Sequence, residues 1–206
     1  MKDNRDLNEI AGNFGINESE SEIDTDECEI DTDDLSESII EEASTTPMPD
    51  DVFKALNEQV KNEFEAFYAY YGMANSMDSI GFKGMACWLR KSAKEELNHA
   101  YKVNDYILER GKDVKLIPIQ PSKEKWNTPK AAFESANKHE ISVTANYNNL
   151  KKLAESGGDH QTCEFINFFL REQTEEEDKT FEICQKLDKA GNDPAALLQI
   201  DNHLGC

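Results

Sequence analysis

The sequence predicts an all-α protein: a four-helix bundle with one long crossover and a short fifth helix. Three observations predict it. Apolar residues recur at helical spacing from residue 51 onward, no segment alternates with the period of two that a half-buried strand needs, and the connections between helical stretches are short, long and short in turn. The first helix is expected over about 51–78, capped by Asp50 or Asp51, with Leu56, Val60, Phe64, Phe67 and Tyr71 on its apolar side. A break at Ile80-Gly81 leads to a second, about 82–110, ended by Gly111, a glycine suited to the left-handed residue that follows a helix. The third, about 129–155, opens on a threonine cap and first-turn proline, Thr128-Pro129, and stops before Gly157-Gly158. Asp159 caps the fourth, about 160–189, which Gly191 closes; the short fifth starts at Asp193-Pro194 and runs to about His203.

Connection lengths fix the topology. About three residues join helices one and two and about four join helices three and four, so each pair is an antiparallel hairpin. Between the hairpins, Gly111 to Thr128 with Pro118 and Pro121 reads as a crossover running along the bundle.

Of the net charge of −20 over 206 residues, most belongs to residues 1–50, which hold 17 acids and 2 bases. Within them Glu22-Ile-Asp-Thr-Asp26 nearly repeats as Glu29-Ile-Asp-Thr-Asp33. Isolated isoleucines among carboxylates bury too little surface to offset ordering entropy, so 1–50 is expected to be a disordered acidic extension to a domain over 51–206. Its composition favours a solvated tail over a cation-gathering or partner-docking arm. Asp24, Asp26, Asp31 and Asp33 lack the turn glycine of a calcium loop. The acidity argues against nucleic acid and anionic membrane as partners. Five cysteines without a CxxC pair fit neither a disulfide framework nor a zinc site, and Cys87, Cys163 and Cys184 read as packed thiols in a reducing compartment. With no apolar run of membrane length and no signal-like N-terminus, the expected location is the cytoplasm.

The chemistry lies in acids that occupy core positions. Glu63 falls between Val60 and Phe67 on the first helix, Glu96 stacks with Leu89, Ala93, Ala100 and Val103, Glu140 shares a face with Phe133, Ala136, Val143 and Tyr147, and Glu176 with Phe169 and Ile183. Each lies within about two residues of its helix midpoint, about 3 Å along the axis, so in paired hairpins the four converge at one level. Uncompensated buried charges cost several kcal/mol each (about 5–15 kcal/mol being a whole domain's stability), so protons, bases or metal must relieve them. Apart from Lys179, no base lies at that level, but His99 stands one turn after Glu96. An E-x-x-H pair with carboxylates from other helices is a two-metal ligand set, and oxygen ligands with one imidazole suit iron or manganese. The other reading of any one of these glutamates is a solvated position at the stripe's edge.

Leu56-Asn-Glu-Gln-Val-Lys-Asn-Glu63, Glu95-Glu96-Leu-Asn-His99, Lys138-His139-Glu140 and Glu172-Gln173-Thr-Glu175-Glu176 together resemble the non-haem ferritins of bacterial type over about residues 52–204. The resemblance implies a ferritin-like bundle that oxidises Fe(II) with dioxygen and stores the ferric product as a mineral in a hollow shell of twenty-four subunits. It implies Glu63, Glu96 and His99 for a first iron, and Glu96 as a bridge with Glu140, Gln173 and Glu176 for a second. Tyr70 matches the tyrosine beside that centre, and Glu95, Glu172 and Glu175 match a third iron position, or else an acidic solvated inner face. Where the family's haem-binding relatives have a methionine after the E-x-x-H glutamate this chain has Leu97, so haem is not expected; Phe168 stands where many bacterial members have tryptophan. Gln173-x-x-Glu176 replaces the second E-x-x-H of bacterioferritins and rubrerythrins, which disfavours the competing reading as a di-iron oxygenase or peroxidase. A non-catalytic shell subunit would lack ligands that are all present here.

Overall fold

Five helices and no strand occur in the computed structural model among its described residues, 47–120 and 125–205. They are α1 (Asp50–Ser79), α2 (Lys83–Glu109), α3 (Pro129–Ser156), α4 (His160–Ala190) and α5 (Pro194–Leu204). The acidic extension, with its near-repeat, lies outside the described residues but for its last four positions.

The expected punctuation governs most helix ends. Thr128 accepts from the Ala131 amide at 3.2 Å, Asp159 from Thr162 at 3.1 Å and Asp193 from Ala195 at 3.2 Å. Gly111 and Gly191 hold φ of 72° and 56°, conformations in which any Cβ would be strained. The start of α1 departs from expectation: Pro49 is the cap residue and makes no side-chain cap, while Asp50 and Asp51 fall in the first turn. There their charge complements the helix dipole instead.

The two hairpins, α1 with α2 and α3 with α4, join along a seam between α1 and α3. Along the bundle the apolar interior divides into two clusters. Met73, Met77, Met85, Leu89, Phe133 and Leu187 belong to one, and Leu56, Val60, Val103, Leu150, Ile166 and Phe169 to the other. Between them in the sequence of each of the four bundle helices, α1–α4, lies a polar layer: Glu63, Glu96 and His99, Glu140, and Gln173, all buried. The buried stripe of α1 runs Leu56, Val60, Glu63, Ala66, Tyr70 and Met73, rotated from the expected Phe64–Phe67–Tyr71 line. Tyr71 is 48 % exposed, its ring packing on Phe67. Sequence spacing alone could not separate two adjacent apolar stripes on one helix.

The crossover climbs α1. The Lys115 amide donates to Asn57 at 2.8 Å, the Gln120 amide to Glu65 at 3.3 Å, and the Trp126 ring lies over Gly72, where a Cβ would approach it to 3.2 Å. At the far end, Arg110 after α2 meets Asp159 before α4 at 2.9 Å. α5 closes the start of α2: Asp201, buried, accepts from the Met85 amide at 2.7 Å, supplying a cap that α2's own Phe82 lacks. Gly84 makes this approach possible, since a Cβ there would lie 1.8 Å from the Asp201 carbonyl.

Cys163 and Cys184 are free thiols, as expected. Cys87 is not: it is disulfide-bonded, where the sequence predicts a packed thiol. No described helix is long and apolar enough to cross a membrane.

Candidate metal centre

Each helix of the bundle delivers side chains to the polar layer because its apolar stripe is interrupted there by one or two polar residues. Glu63 from α1, with Glu96 and His99 from α2, form the one group among the described residues whose possible ligand atoms all lie within 4.8 Å of one another. The E-x-x-H spacing sets this up: three residues along α2 bring His99 Nδ1 to 3.5 Å from Glu96 Oε2, and across the hairpin it lies 4.0 Å from Glu63 Oε2. Glu63 Oε2 and His99 Nδ1 are both buried and have no hydrogen-bond partner. Buried orphan acceptors are costly in any fold, and a carboxylate oxygen facing an imidazole nitrogen at this spacing suits a divalent cation between them.

Electrostatics agree. Burial, with the neighbouring Glu96 carboxyl adding to it, pushes Glu63 up to about 8. Burial and then the charge of Glu140 push Glu96 up to about 8, and burial takes Glu140 to about 7 against the pull of its Tyr70 and Gln173 hydrogen bonds. Without a cation the cluster therefore keeps protons through neutral pH; a bound cation would take their place.

Glu140 from α3 is held differently. Tyr70 of α1 donates to its Oε1, and the Gln173 amide of α4 donates to its Oε2 at 3.0 Å, so both carboxylate oxygens are engaged. Glu176 sits at the edge of the stripe, half-buried, and Lys179 grips its Oε1 at 2.7 Å. Its charge is still felt at Glu96 and Glu140. Of the three remaining predicted residues, Glu95 is half-buried and its carboxyl is raised by burial and then by Glu176. Glu175 is exposed and shares the field of Lys179 with Glu95 and Glu176, while Glu172 is half-buried one turn earlier on α4.

Two residues at this centre escaped the sequence reading. Gln59, one turn before Glu63, donates to Glu63 Oε1 at 2.7 Å. Tyr147, read as an ordinary apolar residue of α3, donates its phenol to the same oxygen at 2.5 Å. Its signal was available: Tyr70 follows Glu63 by seven residues, and Tyr147 follows Glu140 by the same interval. In the antiparallel α1–α3 pair this spacing sets Glu63 opposite Tyr147 and Tyr70 opposite Glu140, so each carboxylate is held by the other helix's phenol. Both phenols are fully buried, and burial next to a carboxylate raises them well above the ordinary tyrosine range, which keeps them donors.

The model of the ferritin-like domain matches residues 53–190. A bacterial non-heme ferritin of Bacteroides fragilis is 36 % identical over 151 residues, 73 % of this chain and 94 % of the relative. One from Staphylococcus epidermidis is also 36 % identical, over 75 % of this chain and 93 % of its own length. Among solved structures, an open-pore ferritin from the archaeon Archaeoglobus fulgidus superposes with a TM-score of 0.74 at 39 % identity, covering 77 % of this chain and 96 % of that one. A family model that spans most of the helical bundle, and relatives matched along nearly their whole length, establish that this chain belongs to the ferritin family.

Proposed function

We propose that this chain is an iron-storage subunit with ferroxidase activity, acting in the cytoplasm as part of a homo-oligomeric shell of twenty-four copies. Its substrates are Fe(II) and dioxygen. A first ferrous ion is taken by Glu63, Glu96 and His99, and a second by Glu96 as a bridge with Glu140, Gln173 and Glu176. The observation that carries this reading is the pair of bare, buried ligand atoms, Glu63 Oε2 and His99 Nδ1, 4.0 Å apart in a layer otherwise sealed by apolar residues.

Several features support the chemistry. The layer is closed by apolar clusters on both sides, which keeps bulk water from ions bound between the helices. Incoming cations displace the protons that Glu63 and Glu96 carry at neutral pH, so loading neutralises the buried charge without leaving carboxylates bare. Two ferrous ions then give one electron each to dioxygen. With four waters the balanced products are two ferric oxyhydroxide units, one hydrogen peroxide and four protons. Tyr70, on Glu140, stands where it orients a ligand of the second ion. Glu95, Glu172 and Glu175 form an acidic surface on α2 and α4, the third iron position of this reading. Gln173 in place of an acid, and Glu176 shared with Lys179, make the second position the weaker, which favours onward movement of ferric iron.

The test is anaerobic addition of Fe(II) to metal-free protein followed by oxygen, with ferric absorbance and particle size recorded. Wild type is expected to oxidise two irons per chain rapidly and to retain many more within a large particle. Glu96→Ala and His99→Ala are expected to lose the rapid phase. Equal rapid oxidation by these variants would overturn the assignment of the centre, and a monomeric or dimeric particle holding no iron would overturn storage.

A further inference from the structure

Glu63 is a carboxylate whose two oxygens have different fates. Oε1 accepts two hydrogen bonds, from Tyr147 at 2.5 Å and Gln59 at 2.7 Å, which occupy the directions in which it could bind anything else. Oε2 accepts none and faces His99 Nδ1 and the Glu96 carboxyl. The carboxylate plane is therefore fixed from outside the cluster. The decisive donor comes from α3, across the seam, and not from α1 or α2, which supply the ligands. Tyr147 is itself immobilised: it is 1 % exposed and stacks on Phe169 with ring centroids 4.6 Å apart and planes 11° from parallel. The same Phe169 ring meets His99 edge-on at 5.4 Å. One aromatic thus steadies a ligand directly and the holder of another ligand.

We propose that Tyr147 is a positioning residue for the first metal ion: by reserving Glu63 Oε1 it makes Glu63 a one-oxygen ligand through Oε2, as Tyr70 positions Glu140 for the second ion. This rests on the ferroxidase reading of the same centre. It assigns the two phenols to different ions, although the E-x6-Y spacing that places them is the same. Outer hydrogen-bond partners of ligands typically tune metal affinity by about 10–100-fold.

Cobalt(II), a divalent ion with absorption bands sensitive to coordination, tests this without turnover. Metal-free full-length wild type, Y147F and Y70F are titrated anaerobically. Phenylalanine keeps the ring stack on Phe169 and removes only the hydroxyl, and folding is confirmed by helical circular dichroism. Wild type is expected to bind cobalt in two steps. Y147F is expected to bind the first equivalent about 10-fold more weakly, with altered band positions, because Glu63 loses the phenol that fixes its carboxylate plane and keeps only the Gln59 amide on Oε1. Y70F is expected to keep the first step and change the second. A first step in Y147F with wild-type affinity and wild-type bands overturns the proposal while leaving the ferroxidase reading intact. Wild type that binds no cobalt at this centre overturns both. If Y147F does not assemble, the tyrosine difference spectrum of wild type decides: a perturbed buried phenol at the first equivalent supports the assignment, and an unperturbed one overturns it.

Discussion

Glutamine at position 63 separates the electrostatic account of the centre from a merely steric one. The substitution keeps size and an accepting oxygen for Tyr147 and Gln59 but removes a titrating group. In the metal-free protein Glu63 is raised from 4.5 to about 8, chiefly by burial and next by Glu96. Between those two values the folded chain holds a proton that the unfolded chain has released, so the native state is favoured at low pH and loses that advantage as pH rises toward 8. At 1.36 kcal/mol for each pH unit, the loss attributable to Glu63 is at most about 5 kcal/mol. For a domain of this size that is roughly 10–20 °C in Tm. The assay is thermal melting in chelator at fixed protein concentration between pH 5 and 9. Wild-type Tm is expected to fall across this range, E63Q to fall less by the Glu63 share while Glu96 and Glu140 still titrate, and the two to converge near pH 5. Zinc should raise the wild-type Tm at pH 8 more than that of E63Q, since E63Q keeps Glu96 and His99 but lacks one charged ligand. Parallel curves for the two proteins would mean that Glu63 ionises freely in water, and the account of the layer would fail.

Three further outcomes follow from other contacts. Lys179→Met frees Glu176 from its 2.7 Å ion pair, so calorimetry should show tighter binding of a second divalent ion, by a few-fold, with the first step unchanged. Arg110→Met leaves the buried Asp159 carboxylate, 1 % exposed, without its cation at the junction of the hairpins; about 3 kcal/mol of stability, or roughly 6–12 °C by differential scanning calorimetry, should be lost. Gly84→Ala forces a methyl to within 1.8 Å of the Asp201 carbonyl, so α5 must move; about 1–3 kcal/mol of destabilisation and faster proteolytic removal of residues after Gly191 are expected.

The helices were readable because their ends carry strong local chemistry. Thr128-Pro129, Asp159, Asp193-Pro194, Gly111 and Gly191 all act at the positions where their side chains or free backbones are needed. Levels along the bundle were readable as well, since rise per residue converts sequence distance into depth. What the sequence could not supply was rotation about each helix axis. On α1 the aromatic line through Phe64 and Tyr71 looked as apolar as the true stripe through Ala66 and Tyr70, because an alanine adds little to any pattern. The same uncertainty affects Glu176, which shares its face with Phe169 and Ile183 yet settles at the edge within reach of Lys179. Tyr147 was hidden for another reason: a phenol on an apolar face reads as packing until its hydroxyl has an address, and that address lies on a helix some eighty positions earlier. The Cys87 disulfide left no pattern to find, since one bridge among irregularly spaced cysteines has no spacing rule.

The contact between Asp201 and the Met85 amide ties the far end of the chain to the axial setting of α2. Glu96 and His99 ride on that same helix, and a slip of one residue would carry them about 1.5 Å along it. Set against ligand atoms gathered within 4.8 Å, such a slip would pull the α2 pair out of step with Glu63. The last eleven-residue helix therefore behaves as a doorstop for the centre, though it contributes no ligand to it. Changes at the C-terminus, a fused tag or a shortened tail among them, should be felt first as a loss of metal affinity, before any loss of helix content.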